Sequence, residues 1–314
     1  MRKTCIDMVY ELAKRDPRVV FIGSDLSPGL LEDMKKEMPG RHYMEGVSEA
    51  NVIGMAAGMA MEGYIPYVNT IATFITRRCY EQVALDLCLH NLPVRLIGNG
   101  GGLVYAPLGP THLAIEDIAI MRALPNMCVV SACDADEMKR LMNETLDWPG
   151  PIYIRLAKGF DPVVSSDSAP FKIGKGIPYG SGKDALIITT GVGLQISLKT
   201  AEMLNSQGIE ITVLHLPTIK PLDREAILQY TSEIPIVVSV EEHTIIGGVG
   251  SAVLEVIVDE RLECTNKFKR IGIPDTFAQE YGSQQSLMAG YGITAENISR
   301  EIYSLINRTN HVKN

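Results

Sequence analysis

Short runs dense in aliphatic and β-branched residues recur along the chain, each followed by a longer stretch whose apolar residues fall at helical spacing. In the first half the runs are VVFIG (19–23), YIPYVN (64–69), VRLIGNG (94–100), MCVVSA (127–132) and IYIRLA (152–157). Strand-like runs alternating with amphipathic helices predict a mainly parallel α/β sheet. A second series follows: ALIITTG (185–191), a helix through 194–206, IEITVLHL (209–216), a helix after PLDREAI, IPIVVSVEEH (234–243), and a helix from GGVGSAVLEVIVDE. Between the series lies AKGFDPVVSSDSAPFKIGKGIPYGSGKD, rich in Gly, Pro and Ser and without sustained period, which reads as a connection. The expected organisation is two doubly wound α/β domains: residues 1–162, a linker at 163–182, and a smaller domain at 183–314.

Composition narrows the class. With 46% hydrophobic and 21% charged residues, the 314-residue chain is core-forming and globular. A net charge of −8 argues against a nucleic acid or a membrane surface as main partner, and RR at 77 and KFKR at 267 are too short to reverse that. The basic start MRK leads into polar residues at helical spacing rather than a signal-peptide core, so a cytoplasmic location is expected. Six cysteines without a C-x-x-C pair give neither a zinc spacing nor a disulfide framework, and reduced thiols are the expectation.

Glycine-rich turns raise the question of dinucleotide binding. GNGGGL (98–103) places Leu103 where a third glycine should stand, and GVGLQI (191–196) and GGVGSA (247–252) fail the same count. They read as strand-to-helix turns.

One acid stands out. In MEGVSEANVIGMAAGMAMEGYIPYV, Ser48 is a candidate N-cap and Glu49 falls in the first turn of a helix of small and apolar residues, where the dipole favours negative charge. Gly54 and Gly58 leave room on that helix for close approach of another.

Three segments, GSDLS (23–27), EGVSEANVIGMAAGMA (45–60) and GPTHLAIEDIAIMRALPNM (109–127), resemble in order and separation the pyrimidine-binding half of thiamine-diphosphate enzymes of the transketolase family. The resemblance continues with WPGPIYIRLAKG (148–159), and HLPTIKPLD (215–223) and VVSVEEHTIIGGVGSAVLE (237–255) are similar to the family's C-terminal domain. Nearly the whole chain is covered. Absent is the G-D-G…N motif with which full-length members hold the diphosphate through a divalent metal. The resemblance therefore implies the C-terminal-half subunit of a split transketolase. An N-terminal-half partner subunit would complete the thiamine diphosphate site and supply the Mg2+ ligands, in a homodimer within an α2β2 heterotetramer. The implied reaction transfers a two-carbon ketol unit from a ketose donor to an aldehyde acceptor, with the cofactor as electron sink.

The resemblance also implies site residues. Glu49 corresponds to the acid that hydrogen-bonds the aminopyrimidine ring nitrogen and favours its imino tautomer. His112 stands at the position of a histidine that contacts substrate hydroxyls or a developing oxyanion. Phe74 matches an aromatic packed on the aminopyrimidine, Ile71 replaces a second phenylalanine of many relatives, and Asp25 matches an aspartate near the cofactor and subunit interface.

The departures concern the substrate. Where sugar-phosphate transketolases place a histidine and an aspartate, this chain has Gly100 and Leu108. Lys158 stands for the family's phosphate-contacting arginine, with Arg155 as its substitute, and lysine lacks the bidentate fork. These changes point to an unusual ketose, such as a sulfonated, branched or nucleotide-linked sugar. The competing readings are a 2-oxo-acid dehydrogenase E1 beta-like or deoxyxylulose-phosphate-synthase-like subunit, and a non-catalytic scaffold. The remaining histidines, including those of HLP (215) and VEEH (243), read as structural or surface.

Overall fold

The computed structural model describes residues 1–24, 26, 29–157, 159, 161–165, 171–260 and 267–310. Its strands are β1 (Val19–Gly23), β2 (His42–Met44), β3 (Ile65–Ile71), β4 (Arg95–Asn99), β5 (Cys128–Ser131), β6 (Ile152–Leu156), β7 (Ile177–Tyr179), β8 (Ala185–Thr189), β9 (Ile211–His215), β10 (Thr218–Lys220), β11 (Ile236–Thr244) and β12 (Lys267–Ile273). Strands β1, β4, β5 and β6 are buried at every residue, which is why their sequences are mostly apolar rather than alternating, the buried Arg95, Asn99, Ser131 and Arg155 being the exceptions.

The first sheet has the order β10-β5-β6-β4-β3-β1-β2 and is parallel except for β10. The second has the order β12-β11-β8-β9-β7 and is parallel except for β7. The doubly wound, two-domain α/β expectation is met.

Two short strands revise the expected organisation. β7 lies inside the stretch 163–182 expected to be linker, yet pairs with β9 as the edge of the second sheet. β10, within HLPTIKPLD, crosses back to pair with β5 and so covers the edge of the first sheet. Lys220 at its end donates from Nζ to the carbonyls of Arg122 and Leu124, at 3.1 and 2.5 Å, closing the C-terminal turn of the helix Asp117–Ala123. The halves are further joined by apolar packing: Leu103, Ala106, Leu113 and Ile115 of the first half belong to the core of the second sheet.

The helix Glu49–Met61 begins where expected, with Ser48 at the N-cap. The serine does not cap it through its side chain, because its Oγ donates to the Glu45 carbonyl at 3.0 Å instead. Within this chain nothing comes within 4 Å of a Cβ built at Gly54 or Gly58. Among the described residues no helix is long and apolar enough to cross a membrane.

Candidate active site

β1 lies between β2 and β3, so successive connections leave it in opposite directions. In an open parallel sheet, the crevice beyond the carboxyl ends of such strands is where ligands bind. Here it holds a cavity of about 10 Å³ lined by Ser24 at the end of β1, Asn69 and Thr70 in β3, and Glu49, with Val52, Val68 and Ile75. Asn99 at the end of β4 braces the strand ends, its Nδ2 donating to Asn69 Oδ1 at 2.6 Å and to the Thr70 carbonyl at 2.9 Å.

Glu49 is 5% exposed. Its carboxylate accepts from Arg78 Nη1 at 2.8 Å. The Arg78 guanidinium in turn lies over the ring of Phe74, 4.0 Å from the centroid, a cation–π contact. Phe74 sits on the short helix Ala72–Thr76, for which Ile71, half-buried, is the N-cap. The other neighbour of Phe74 is His112, whose ring meets it edge-on at 5.3 Å. Thr111 Oγ1 lies 2.9 Å from His112 Nδ1. Alongside, Arg77 pairs with Glu116 at 2.9 Å, and burial pushes the Glu116 carboxyl up from its ordinary value. Beyond this pair opens a cleft of about 570 Å³ between the domains, walled by Ile115, Thr244, Ile246 and Phe277.

The expected residues Glu49, Ile71, Phe74 and His112 thus gather around the crevice. Asp25 and Lys158 lie outside the described residues. Arg155 has a different occupation from the anion contact expected of it. It is 5% exposed and donates from Nε to Asp117 Oδ2 at 2.8 Å and from Nη2 to the Glu242 carbonyl at 2.9 Å. Tyr153 donates to the same Asp117 oxygen at 2.7 Å. A guanidinium so committed and enclosed has no face for a substrate anion. At Gly100, φ is +73° and a Cβ would stand 2.1 Å from the Tyr105 ring, so a histidine has no room there.

Sequence reasoning missed Arg78, treated only as part of a short basic pair; it lies in the turn just past the helix Ala72–Thr76, four residues after Phe74, and that spacing was the available signal. It also missed where two histidines go. His215 is fully buried with its Nε2 3.0 Å from Glu137 Oε2, and Cys133 completes a cluster whose ligand-type atoms lie within 4.8 Å of one another. His243 is equally buried, accepting from the Ala119 N–H at 3.3 Å and donating to the Thr244 carbonyl at 2.7 Å. The GGVGSA turn does open a helix, but its N-terminus is already occupied by an internal carboxyl group. Glu241 accepts from the N–H groups of Val249 and Gly250, at 2.8 and 3.1 Å.

Two family models match consecutive stretches of the chain: the transketolase pyrimidine binding domain over residues 1–160, and the transketolase C-terminal domain over residues 174–298. The chain belongs to the transketolase family. It is 34% identical over 311 residues to the 6-deoxy-6-sulfo-D-fructose transketolase subunit SqwH of Clostridium sp. (strain MSTE9), covering 99% of this chain and 95% of that one. It is 32% identical over 309 residues to one subunit of the apulose-4-phosphate transketolase of Phocaeicola vulgatus, covering 98% and 97%. Among solved structures it resembles a split gene transketolase in an inactive beta4 tetramer, with a TM-score of 0.89, 32% identity and 98% of each chain covered. These two relatives, matched over nearly their whole length, are named as subunits.

Proposed function

We propose that this chain is the C-terminal-half subunit of a split, thiamine-diphosphate-dependent transketolase. With an N-terminal-half partner it moves a two-carbon ketol unit from a ketose to an aldehyde. The observation that carries this reading is the slot between Glu49 and Phe74 at the β1–β3 crevice. It already holds a flat, nitrogen-bearing cation, Arg78, which stacks on Phe74 while donating to Glu49. The slot therefore accepts a planar group in that attitude, and the aminopyrimidine ring is such a group.

Thiamine diphosphate, when bound, supplies the carbon nucleophile and electron sink for two-carbon transfer. Glu49 holds a proton at the ring nitrogen, and its burial keeps water from competing for it. Phe74 and Ile71 form the wall against which the ring rests. His112, with Nδ1 engaged by Thr111, has Nε2 left to meet a substrate hydroxyl or an oxygen that gains charge. The diphosphate and Mg2+ contacts fall to the partner. Among the described residues the metal-capable cluster is Cys133, Glu137 and His215, whose one carboxylate beside a thiol and an imidazole does not suit Mg2+. Asp25 and Lys158 keep the cofactor-side and anion-side places that the resemblance implies.

An atypical sugar is part of the proposal. The two relatives are named for a sulfonated hexulose and for apulose 4-phosphate, and Gly100 and Leu108 stand where sugar-phosphate enzymes carry polar groups. We take the assembly to be an α2β2 heterotetramer in the cytoplasm.

The test is calorimetric titration of thiamine diphosphate with magnesium into this chain alone and into the chain co-expressed with its N-terminal-half partner. Metal-dependent binding is expected in the mixture only, followed by ketol transfer from a panel of sulfonated and branched ketoses. Decarboxylation of pyruvate by the mixture in place of ketol transfer would move the assignment to the dehydrogenase class.

A further inference from the structure

A carboxylate of the C-terminal domain reaches the turn at which the loop carrying His112 begins. Glu242, near the end of β11, is 3% exposed. Its Oε1 accepts from the Leu103 N–H at 2.7 Å, and Gln284 donates to both of its oxygens at 2.9 and 3.1 Å. The turn is fitted to this group. Gly102 has φ +69°, and a Cβ there would stand 2.6 Å from the Glu242 carboxyl carbon, so both the backbone conformation and the close approach require glycine. Gly102 then exchanges backbone hydrogen bonds with Ala114, N to O at 2.8 and O to N at 3.2 Å. That pair closes the base of the loop carrying His112. The same strand end fixes the segment just beyond, Thr244 N–H donating to the Ile115 carbonyl at 2.7 Å.

We infer that Glu242 is a positioning residue of the active site, which holds the Gly101–Leu103 turn from the second domain and thereby sets the placement of His112. This rests on the reading of His112 as substrate-facing. The geometry argues for more than general domain contact. A buried carboxylate aimed at one backbone N–H of a glycine turn restrains that turn directionally, whereas apolar packing at Leu103 and Leu113 leaves it free to slide.

The experiment compares Glu242→Ala, Glu242→Gln and His112→Ala. Amide hydrogen exchange is followed on the full chain, and kcat, KM and cofactor affinity on the chain with its partner. Gln retains an acceptor for Leu103, and Ala does not. In Glu242→Ala, protection of the Leu103 amide and of the loop up to Ala114 is expected to fall roughly tenfold or more. kcat/KM for the ketose should fall with it while thiamine diphosphate affinity holds. Glu242→Gln should restore both protection and turnover. Where Glu242→Ala fails to fold, Gln284→Ala, which frees the carboxylate, should give the same local loosening. Unchanged loop exchange, or a loosened loop with unchanged kcat/KM, overturns the positioning role. A His112→Ala enzyme as active as wild type overturns the site reading beneath it; an impaired His112→Ala beside an unimpaired Glu242→Ala overturns the positioning role alone.

Discussion

Arg78 and Glu49 form an ion pair at 2.8 Å in which the carboxylate side chain is 5% exposed and the guanidinium 46%. The pair is asymmetric: removing the arginine strands a buried charge, whereas removing the acid leaves a cation that water can reach. Arg78→Ala should therefore cost about 1–2 kcal/mol, between the limits for exposed and fully buried pairs. Arg78→Lys should recover part of the loss, since it keeps the charge but not the flat stack on Phe74. Urea unfolding of the isolated chain measures both. A destabilisation by Glu49→Ala larger than that by Arg78→Ala would contradict the asymmetry.

Glu49→Gln keeps the size and one acceptor at the crevice but cannot exchange a proton as an acid does. Cofactor should still bind the assembled enzyme, and ketol transfer should fall by about two to four orders of magnitude, the usual contribution of a placed acid or base. Single-turnover measurements separate this from a binding defect. Undiminished turnover would return Glu49 to the role of an ordinary first-turn acid.

The legible parts of this molecule were those written locally. β1 is an unbroken apolar run, and Glu49 announces itself by following a serine at the head of a small-residue helix. β7 and β10 are three residues each, too short for any period, and β10 exists because the edge of β5 needs a partner. Arg78 looked like half of an RR pair because its meaning depends on Glu49, brought alongside only by the connection through β3. Arg155 misled for the opposite reason: its type suits an anion, but the charge it answers is Asp117, buried beside it. VEEH read as structural, and it is, yet its second glutamate ends against the turn that bears the candidate substrate histidine.

Glu137 and His215 join the helix Ala135–Thr145 to β9, both fully buried, and Glu137 Oε2 also accepts from the Cys133 N–H at 2.7 Å. Burial pushes the Glu137 carboxyl up, but His215 and that N–H outweigh it and hold it below its ordinary value. Its contribution is present at neutral pH and lost as pH falls through the folded value. His215→Leu should cost about 3 kcal/mol at neutral pH, because the carboxylate stays buried without its partner. The double variant His215→Leu, Glu137→Leu should regain part of that. A double variant no better than the single would show that the cluster's worth lies in packing rather than in the charge.

The domain interface makes an opposing prediction as pH rises toward neutral. Burial pushes Glu241 and Glu242 up from 4.5 to about 7, and pushes His243 down from 6.5 to about 4, with Arg155, Arg270 and Asp117 among the charged groups facing them. A carboxyl whose value rises on folding holds its proton more tightly in the folded chain, so its contribution is lost as pH climbs through about 7. His243 acts the other way, but only below the unfolded value of 6.5, where the unfolded chain takes up a proton that the folded chain refuses. Above that point the carboxyls act alone. Stability should fall between about pH 4.5 and 7, by at most about 1.4 kcal/mol per pH unit for each carboxyl and offset in part below pH 6.5 by His243, and should level off above about pH 7. Glu242→Gln has no charge to bury, so its curve should be shallower between pH 4.5 and 7 and lie above the wild type beyond about pH 7, while the two run close together below pH 4.5. Urea midpoints across that range decide it. A wild-type midpoint that does not fall between pH 5 and 7 would mean that Glu241 and Glu242 are held as carboxylates, their hydrogen bonds from Leu103, Val249 and Gly250 outweighing burial.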